Sequence, residues 1–179
     1  MKSIFNLANF LSISRIFASI PLIFFLSNIN NLNYLYFSIL VVVFIILSDV
    51  LDGYFARRNS QVTDFGKVID PVADKVCLMV VLIYLISIYQ IPFLIFFILL
   101  SIRDIVLLSF SLYFLLYTNY VPQAIFEGKI FILVTALMTI FNIYTINETI
   151  AIILYVLSLF LLIYSMFMYI KSHLRKINS

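Results

Sequence analysis

Between Arg15 and Asp49 lie 33 consecutive residues without a charged side chain, and between Lys75 and Arg103 lie 27. A helix that crosses the hydrocarbon core of a bilayer needs about 20 apolar residues. No other open-chain structure survives there, because every backbone N–H and C=O must find its partner within the segment. Further charge-free runs cover residues 105–126, 130–147 and 149–170. Two of the long runs carry internal breaks. Ser27-Asn28-Ile29-Asn30-Asn31-Leu32-Asn33 divides the first, since short amides favour turns. Gln90-Ile91-Pro92 divides the second, since a proline disfavours helix at the residue before it. The reading is an all-α integral membrane bundle of six transmembrane helices. Two lie within 16–48, a third starts near 76, a fourth ends near 118, a fifth covers about 129 to 143 and a sixth about 148 to 170. The whole chain, 1–179, is read as one domain.

Composition removes the alternatives. Hydrophobic residues make up 65% and charged residues 11%, with a mean hydropathy of +1.18, whereas a soluble domain carries roughly 25% charge. One cysteine, Cys77, and one histidine, His173, exclude a disulfide framework and a Cys/His zinc site. Ten of the eleven Lys and Arg residues fall in one set of connections, and Arg103 lies inside the fourth span. Under the positive-inside rule, both termini and the loops near 59–66 and 120–127 face the cytoplasm of a multi-pass plasma-membrane protein. The first apolar segment lacks a small-residue cleavage site and is read as retained. The basic residues form a membrane-side bias rather than a stripe, so no nucleic acid is expected. A six-span transporter would place polar groups near the midplane and show related halves. Here the charge gathers at one face.

Five of the eight acids fall between Asp49 and Asp74. Asp49 and Asp52 are spaced i, i+3, and Asp70 and Asp74 i, i+4, so each pair shares a helix face. Carboxylates about 5 Å apart at an effective dielectric of 20 repel by roughly 3 kcal/mol. Divalent cations are the natural compensation. All-oxygen donors suit Mg²⁺ or Mn²⁺, and four carboxylates can hold two ions of the kind that clamp a phosphoryl centre. Gly53 and Ala56 clear the helix surface beside the acids, Arg57 offers a planar fork for phosphate oxygens, Thr63 offers a hydroxyl, and Gly66 gives a flexible entry to the next helix. Together these residues describe a pocket for a nucleotide diphosphate.

The run Asp49-x-x-Asp52-Gly53-x-x-Ala56-Arg57, eight residues, Gly66-x-x-x-Asp70-x-x-x-Asp74 resembles, without a gap, the signature of the CDP-alcohol phosphatidyltransferase family. The opening Asn6-x-x-Asn9-x-x-Ser12-x-x-Arg15 resembles its phosphatidylglycerophosphate synthase branch, although Ala8 stands where that branch usually has proline and Ser12 where it has threonine. The resemblance implies transfer of a phosphatidyl group from CDP-diacylglycerol, drawn from the membrane lipid, to a small polar alcohol, with release of CMP. It assigns Asp49, Asp52, Asp70 and Asp74 as ligands of Mg²⁺ or Mn²⁺, two ions in all, and Asp74 also as the general base. Gly53, Ala56, Arg57, Thr63, Gly66, Asn9, Ser12 and Arg15 become CDP-diacylglycerol contacts. For Asn9, Ser12 and Arg15 the residues by themselves equally describe an interfacial anchor and cap. The resemblance also implies a homodimer, for which the spans carry no small-xxx-small glycine motif.

Asp70-Pro71-x-Ala73-Asp74-Lys75 and Gln61-Val62-Thr63-x-Phe65-Gly66-Lys67 resemble the branch whose acceptor is glycerol-3-phosphate, giving phosphatidylglycerophosphate. The candidate acceptor cations are Lys75, Arg103 and Lys129. Arginine within a span is costly and marks a functional site by default, although Arg103 could instead pair with an acid on a neighbouring helix. Lys129 could snorkel to headgroups. Asp104, one residue on from Arg103, is expected off its helix face. Arg103-Asp104 followed by an aliphatic run also resembles the cardiolipin synthase branch, whose acceptor is phosphatidylglycerol. Of the remaining polar residues, Asp64 reads as a solvated loop acid, Cys77 as an apolar packer and His173 as a headgroup-facing side chain.

Overall fold

The structure is a computed structural model. It describes residues 7–58, 64–118 and 125–175, with the side chains of 7–9, 49–50, 52–58, 64–68, 70–71, 115–118 and 175 excepted. Six helices account for nearly all of this: α1 (Leu7–Ser27), α2 (Leu32–Arg58), α3 (Asp64–Tyr89), α4 (Ile91–Thr118), α5 (Phe126–Ile143) and α6 (Glu148–Arg175). Five contain stretches long and apolar enough to cross a membrane, and α2 contributes a shorter one, Leu32–Ser48. Large apolar residues cover the outward faces, among them Phe10, Phe17, Ile20 and Phe24 on α1 and Ile152, Val156, Phe160 and Ile163 on α6. Such surfaces suit lipid.

The helix boundaries follow from local chemistry. After α1, the Asn28 side-chain amide donates to the Phe24 carbonyl at 2.9 Å, satisfying one of the orphan acceptors at a helix end. Asn31 then caps α2, its Oδ1 accepting from the Asn33 N–H at 2.9 Å. Gln90 ends α3 by turning left-handed, with φ 53°, and Pro92 lies in the first turn of α4, where its missing N–H costs nothing. Thr145, with φ 46°, turns the chain after α5. Asn147 opens α6, its Oδ1 accepting from the Ile150 N–H at 3.0 Å. Both breaks expected from sequence are therefore real. Asp64 differs from expectation, because α3 already begins there. A carboxylate in a first helical turn is favoured by the helix dipole.

The chain divides into two compact units, Met1–Tyr84 and Leu85–Ser179. In the first, α1 packs on α2 through Leu22, Leu26 and the ring of Phe25, which stacks on Tyr34 and Phe37. The buried stripe of α1, Ser12, Arg15, Ser19, Leu22 and Leu26, has the 3–4 spacing of a packed helix face. In the second unit, α6 packs on both α5 and α4. Thr135 and Asn142 of α5 are buried but bond to backbone carbonyls one turn earlier, at 2.8 Å each, so the α5 face stays satisfied without water. Tyr155 of α6 donates to the Pro92 carbonyl at 2.7 Å. Tyr169 and Ser111 join α6 to α4 through their hydroxyls, 2.8 Å apart.

Candidate functional site

The acidic signature falls on two successive helices. Asp49, Asp52, Gly53, Ala56 and Arg57 occupy the last turns of α2, and Gly66, Asp70, Asp74 and Lys75 the first half of α3. Helix is continuous through each pair, so the i, i+3 and i, i+4 spacings do put Asp49 with Asp52, and Asp70 with Asp74, on common faces. Thr63 lies outside the described residues. The side chains of Asn9, Asp49, Asp52, Gly53, Ala56, Arg57, Gly66 and Asp70 lie outside them as well. Among the described residues no group of three or more His, Cys, Asp or Glu side chains is placed to hold a metal ion.

Asp74 is described, and it has an unexpected neighbour. Its Oδ1 is 2.5 Å from Nη1 of Arg15, 59 residues earlier on α1. The arginine side chain is 1% exposed and the aspartate side chain 56%. The Cys77 thiol, one turn beyond Asp74, reaches the Arg15 carbonyl at 3.6 Å. Ala73 and Cys77 are buried, and the thiol marks a local point of contact between α3 and α1. Cys77 is thus the packing residue expected, with a hydrogen bond in addition. Ser12, one turn before Arg15, is fully buried in the same stripe. Lys75, next to Asp74, is exposed. No sequence signal pairs Arg15 with Asp74, because they sit on different helices.

The second unit holds the other buried arginine. Arg103 has an 11% exposed side chain and bonds through Nη1 to Oδ1 of Asp104 at 3.2 Å. Asp104 is off the Arg103 face, as adjacent residues of a helix are, and the long arginine stem nevertheless lets the guanidinium turn back to it. Its Cζ lies 4.6 Å from the centroid of the Phe131 ring on α5, a cation–π distance. Gly128, one turn before Phe131, leaves space beside the fork; a Cβ there would meet Nη2 at 3.9 Å. Arg103 Nε is buried and has no hydrogen-bond partner among the described residues. A buried donor without a partner costs about 1–3 kcal/mol. Lys129 follows Gly128 in the first turns of α5 and is exposed. Sequence reasoning missed Phe131. The one available signal was an aromatic one turn after Gly128, on a helix next to an intramembrane arginine.

His173 is corrected too. It is 2% exposed, stacks on Tyr169 with centroids 4.4 Å apart, and its Nδ1 is 2.7 Å from the Ser172 hydroxyl. One turn separates His173 from Tyr169, so the phenol ring covers the imidazole and keeps it from the headgroups.

Two helices carrying paired acids, with one carboxylate held outward by an arginine from a third, make an arrangement suited to phosphoryl chemistry. The sequence model described as CDP-alcohol phosphatidyltransferase matches residues 5–172. The chain is 36% identical over 148 residues to a CDP-diacylglycerol--glycerol-3-phosphate 3-phosphatidyltransferase of Aquifex aeolicus, covering 79% of this chain and 80% of that one. A protein of the same name from Rickettsia bellii is 39% identical over 95 residues, 51% of this chain and 52% of its own length. Another from Mycoplasma genitalium is 38% identical over 96 residues, 45% and 41%. The chain thus spans about half the length of the last two relatives. With the match running through all six helices and every signature position intact, the chain belongs to the CDP-alcohol phosphatidyltransferase family.

Proposed function

We propose that this protein transfers the phosphatidyl group of CDP-diacylglycerol to glycerol-3-phosphate, forming phosphatidylglycerophosphate and CMP. The observation that carries the reading is the unbroken set of eight signature positions on α2 and α3, in a chain 36% identical to a relative named for that reaction over four-fifths of both lengths. In the reaction, the acceptor hydroxyl oxygen forms a bond to the phosphatidyl phosphorus as the bond from that phosphorus to the CMP oxygen breaks. Asp74 takes the hydroxyl proton. Its carboxylate is exposed enough to meet a substrate, and a general base must lie within hydrogen-bond reach of the proton it removes.

The donor set fits a hard divalent ion: Asp49, Asp52, Asp70 and Asp74 offer oxygen alone, in two pairs at helical spacing. These four residues would hold Mg²⁺ or Mn²⁺, two ions, which when bound neutralise the diphosphate and the departing CMP. Gly53, Ala56, Arg57, Thr63, Gly66, Asn9 and Ser12 contact CDP-diacylglycerol. Arg103 and Lys129 receive the acceptor phosphate, and Lys75 is a further candidate cation for it. The buried, unsatisfied Nε of Arg103 supports this role, since planar bidentate recognition of phosphate is what a guanidinium does best. The bias of Lys and Arg supports six spans with both termini and the site on the cytoplasmic side, where a nucleotide headgroup and a bilayer-held tail can both be reached.

Purified protein in detergent, given CDP-diacylglycerol, Mg²⁺ or Mn²⁺ and one acceptor at a time, should release CMP with glycerol-3-phosphate. Release with phosphatidylglycerol alone would select the cardiolipin-type reading, and no CMP with any acceptor would end the assignment.

A further inference from the structure

We propose that Arg15 is a positioning residue for Asp74 rather than a contact to CDP-diacylglycerol, a proposal that rests on the reaction assigned above. The ion pair is built asymmetrically. The arginine side chain is 1% exposed and its partner 56%, so the guanidinium grips Oδ1 from inside the α1–α3 contact while the aspartate faces out. A structural ion pair withdrawn from solvent hides both charges, because a half-hidden pair keeps much of the desolvation cost and screens the attraction. An arginine anchoring the chain at the interface snorkels, its stem inside and its fork at the surface. Arg15 does neither.

The tether is held at both ends. On α1, Arg15 lies in the buried stripe between Ser12 and Ser19, and its backbone carbonyl takes the Cys77 thiol at 3.6 Å. On α3, Ala73 and Cys77 flank Asp74 and are themselves buried. A residue that both removes a proton and helps hold an ion must keep one rotamer, and a neighbour that orients it acts on rate and on metal affinity together. With 1% of its side chain exposed and Nη1 on Asp74, the Arg15 guanidinium is committed to the carboxylate. Loss of Arg15 should therefore change what Asp74 does and leave substrate affinity alone.

The test uses the full chain in detergent with two readouts: steady-state kinetics with CDP-diacylglycerol and glycerol-3-phosphate, and Mn²⁺ binding followed by the electron paramagnetic resonance of the free ion, without substrates. Arg15→Met should lower kcat about 100-fold and weaken Mn²⁺ binding about 10-fold, the range typical of a lost orienting partner. The KM for CDP-diacylglycerol should stay within about 3-fold, and Arg15→Lys should recover part of both losses. In the Asp74→Asn background, Arg15→Met should weaken Mn²⁺ binding less than it does alone, since residues coupled through a shared contact are not additive. A raised KM for CDP-diacylglycerol with kcat retained, or additive losses of Mn²⁺ affinity, would overturn the proposal. If Arg15→Met alone fails to give a monodisperse protein, Arg15→Lys carries the kinetic arm. The double variant, which leaves no buried lone charge, then carries the binding arm, compared with Asp74→Asn. Should the wild-type protein release no CMP with any acceptor, the assigned reaction falls, while the Mn²⁺ comparison still reads whether Arg15 acts through Asp74.

Discussion

Arg15–Asp74 and Arg103–Asp104 are both arginine–aspartate pairs, yet they are built in opposite ways. The first joins residues 59 positions apart on two helices, with the cation hidden and the carboxylate half exposed. The second joins adjacent residues on one helix, at a longer 3.2 Å, with both partners largely covered at 11% and 27% exposure. In the first pair the arginine serves the acid. In the second the acid serves the arginine, together with Phe131 beneath the fork and the space left by Gly128. The same two residue types thus form a cross-helix pair with an exposed carboxylate in one unit and a same-helix pair with both side chains largely covered in the other.

That contrast can be broken by substitution, and the largest effect should come from Asp74→Asn. It removes the proposed base and should lower kcat on the order of 1000-fold, within the range general-base catalysis supplies. Asp104→Asn should cost only a few fold, and equal losses in the two variants would erase the distinction. Next comes Arg103→Gln, expected to raise the KM for glycerol-3-phosphate by about 10- to 100-fold, as befits about 1.5–3 kcal/mol for a hydrogen bond to a charged group. The KM for CDP-diacylglycerol should not follow it; if it did, Arg103 would belong to the nucleotide side. Phe131→Leu should raise the acceptor KM a further step down the scale, about 2- to 5-fold, matching a cation–π contribution of about 0.5–1 kcal/mol. The smallest effect is on stability alone. Tyr169→Phe removes the hydroxyl that meets Ser111 at 2.8 Å, which should cost about 1 kcal/mol. It should lower the thermal midpoint in detergent with both KM values unchanged.

Several of these features are legible in the sequence. The breaks at Ser27–Asn33 and at Gln90–Pro92 could be found because asparagine caps and proline act within one turn of their own position, and both recur in the structure as a cap on α2 and a left-handed stop after α3. The helical spacing of the acids was legible for the same reason. The start of α3 was not, since Asp64 follows a stretch whose composition fits loop or helix equally. His173 was misplaced because its neighbours Lys171, Arg175 and Lys176 argued for the headgroups, whereas Tyr169 one turn back decides its burial. The Arg103–Asp104 contact was not legible, because helix-face geometry treats side chains as short and arginine is not.

The sequence by itself determined that the chain is helical and apolar, where its helices break, and which residues match the family's signature. Each of these rests on local pattern: the length of a charge-free run, the conformational habits of single residues, the 3.6-residue turn. What only the tertiary structure decided is which side chains serve which. That Arg15 lies behind Asp74, and that Phe131 lies under Arg103, depends on which helices meet and at what height. In apolar helices whose exposed and buried faces have nearly the same composition, residue pattern carries little of that information. It is set by side chains that reach across to another helix, such as the Cys77 thiol at the Arg15 carbonyl and the Phe131 ring under Arg103.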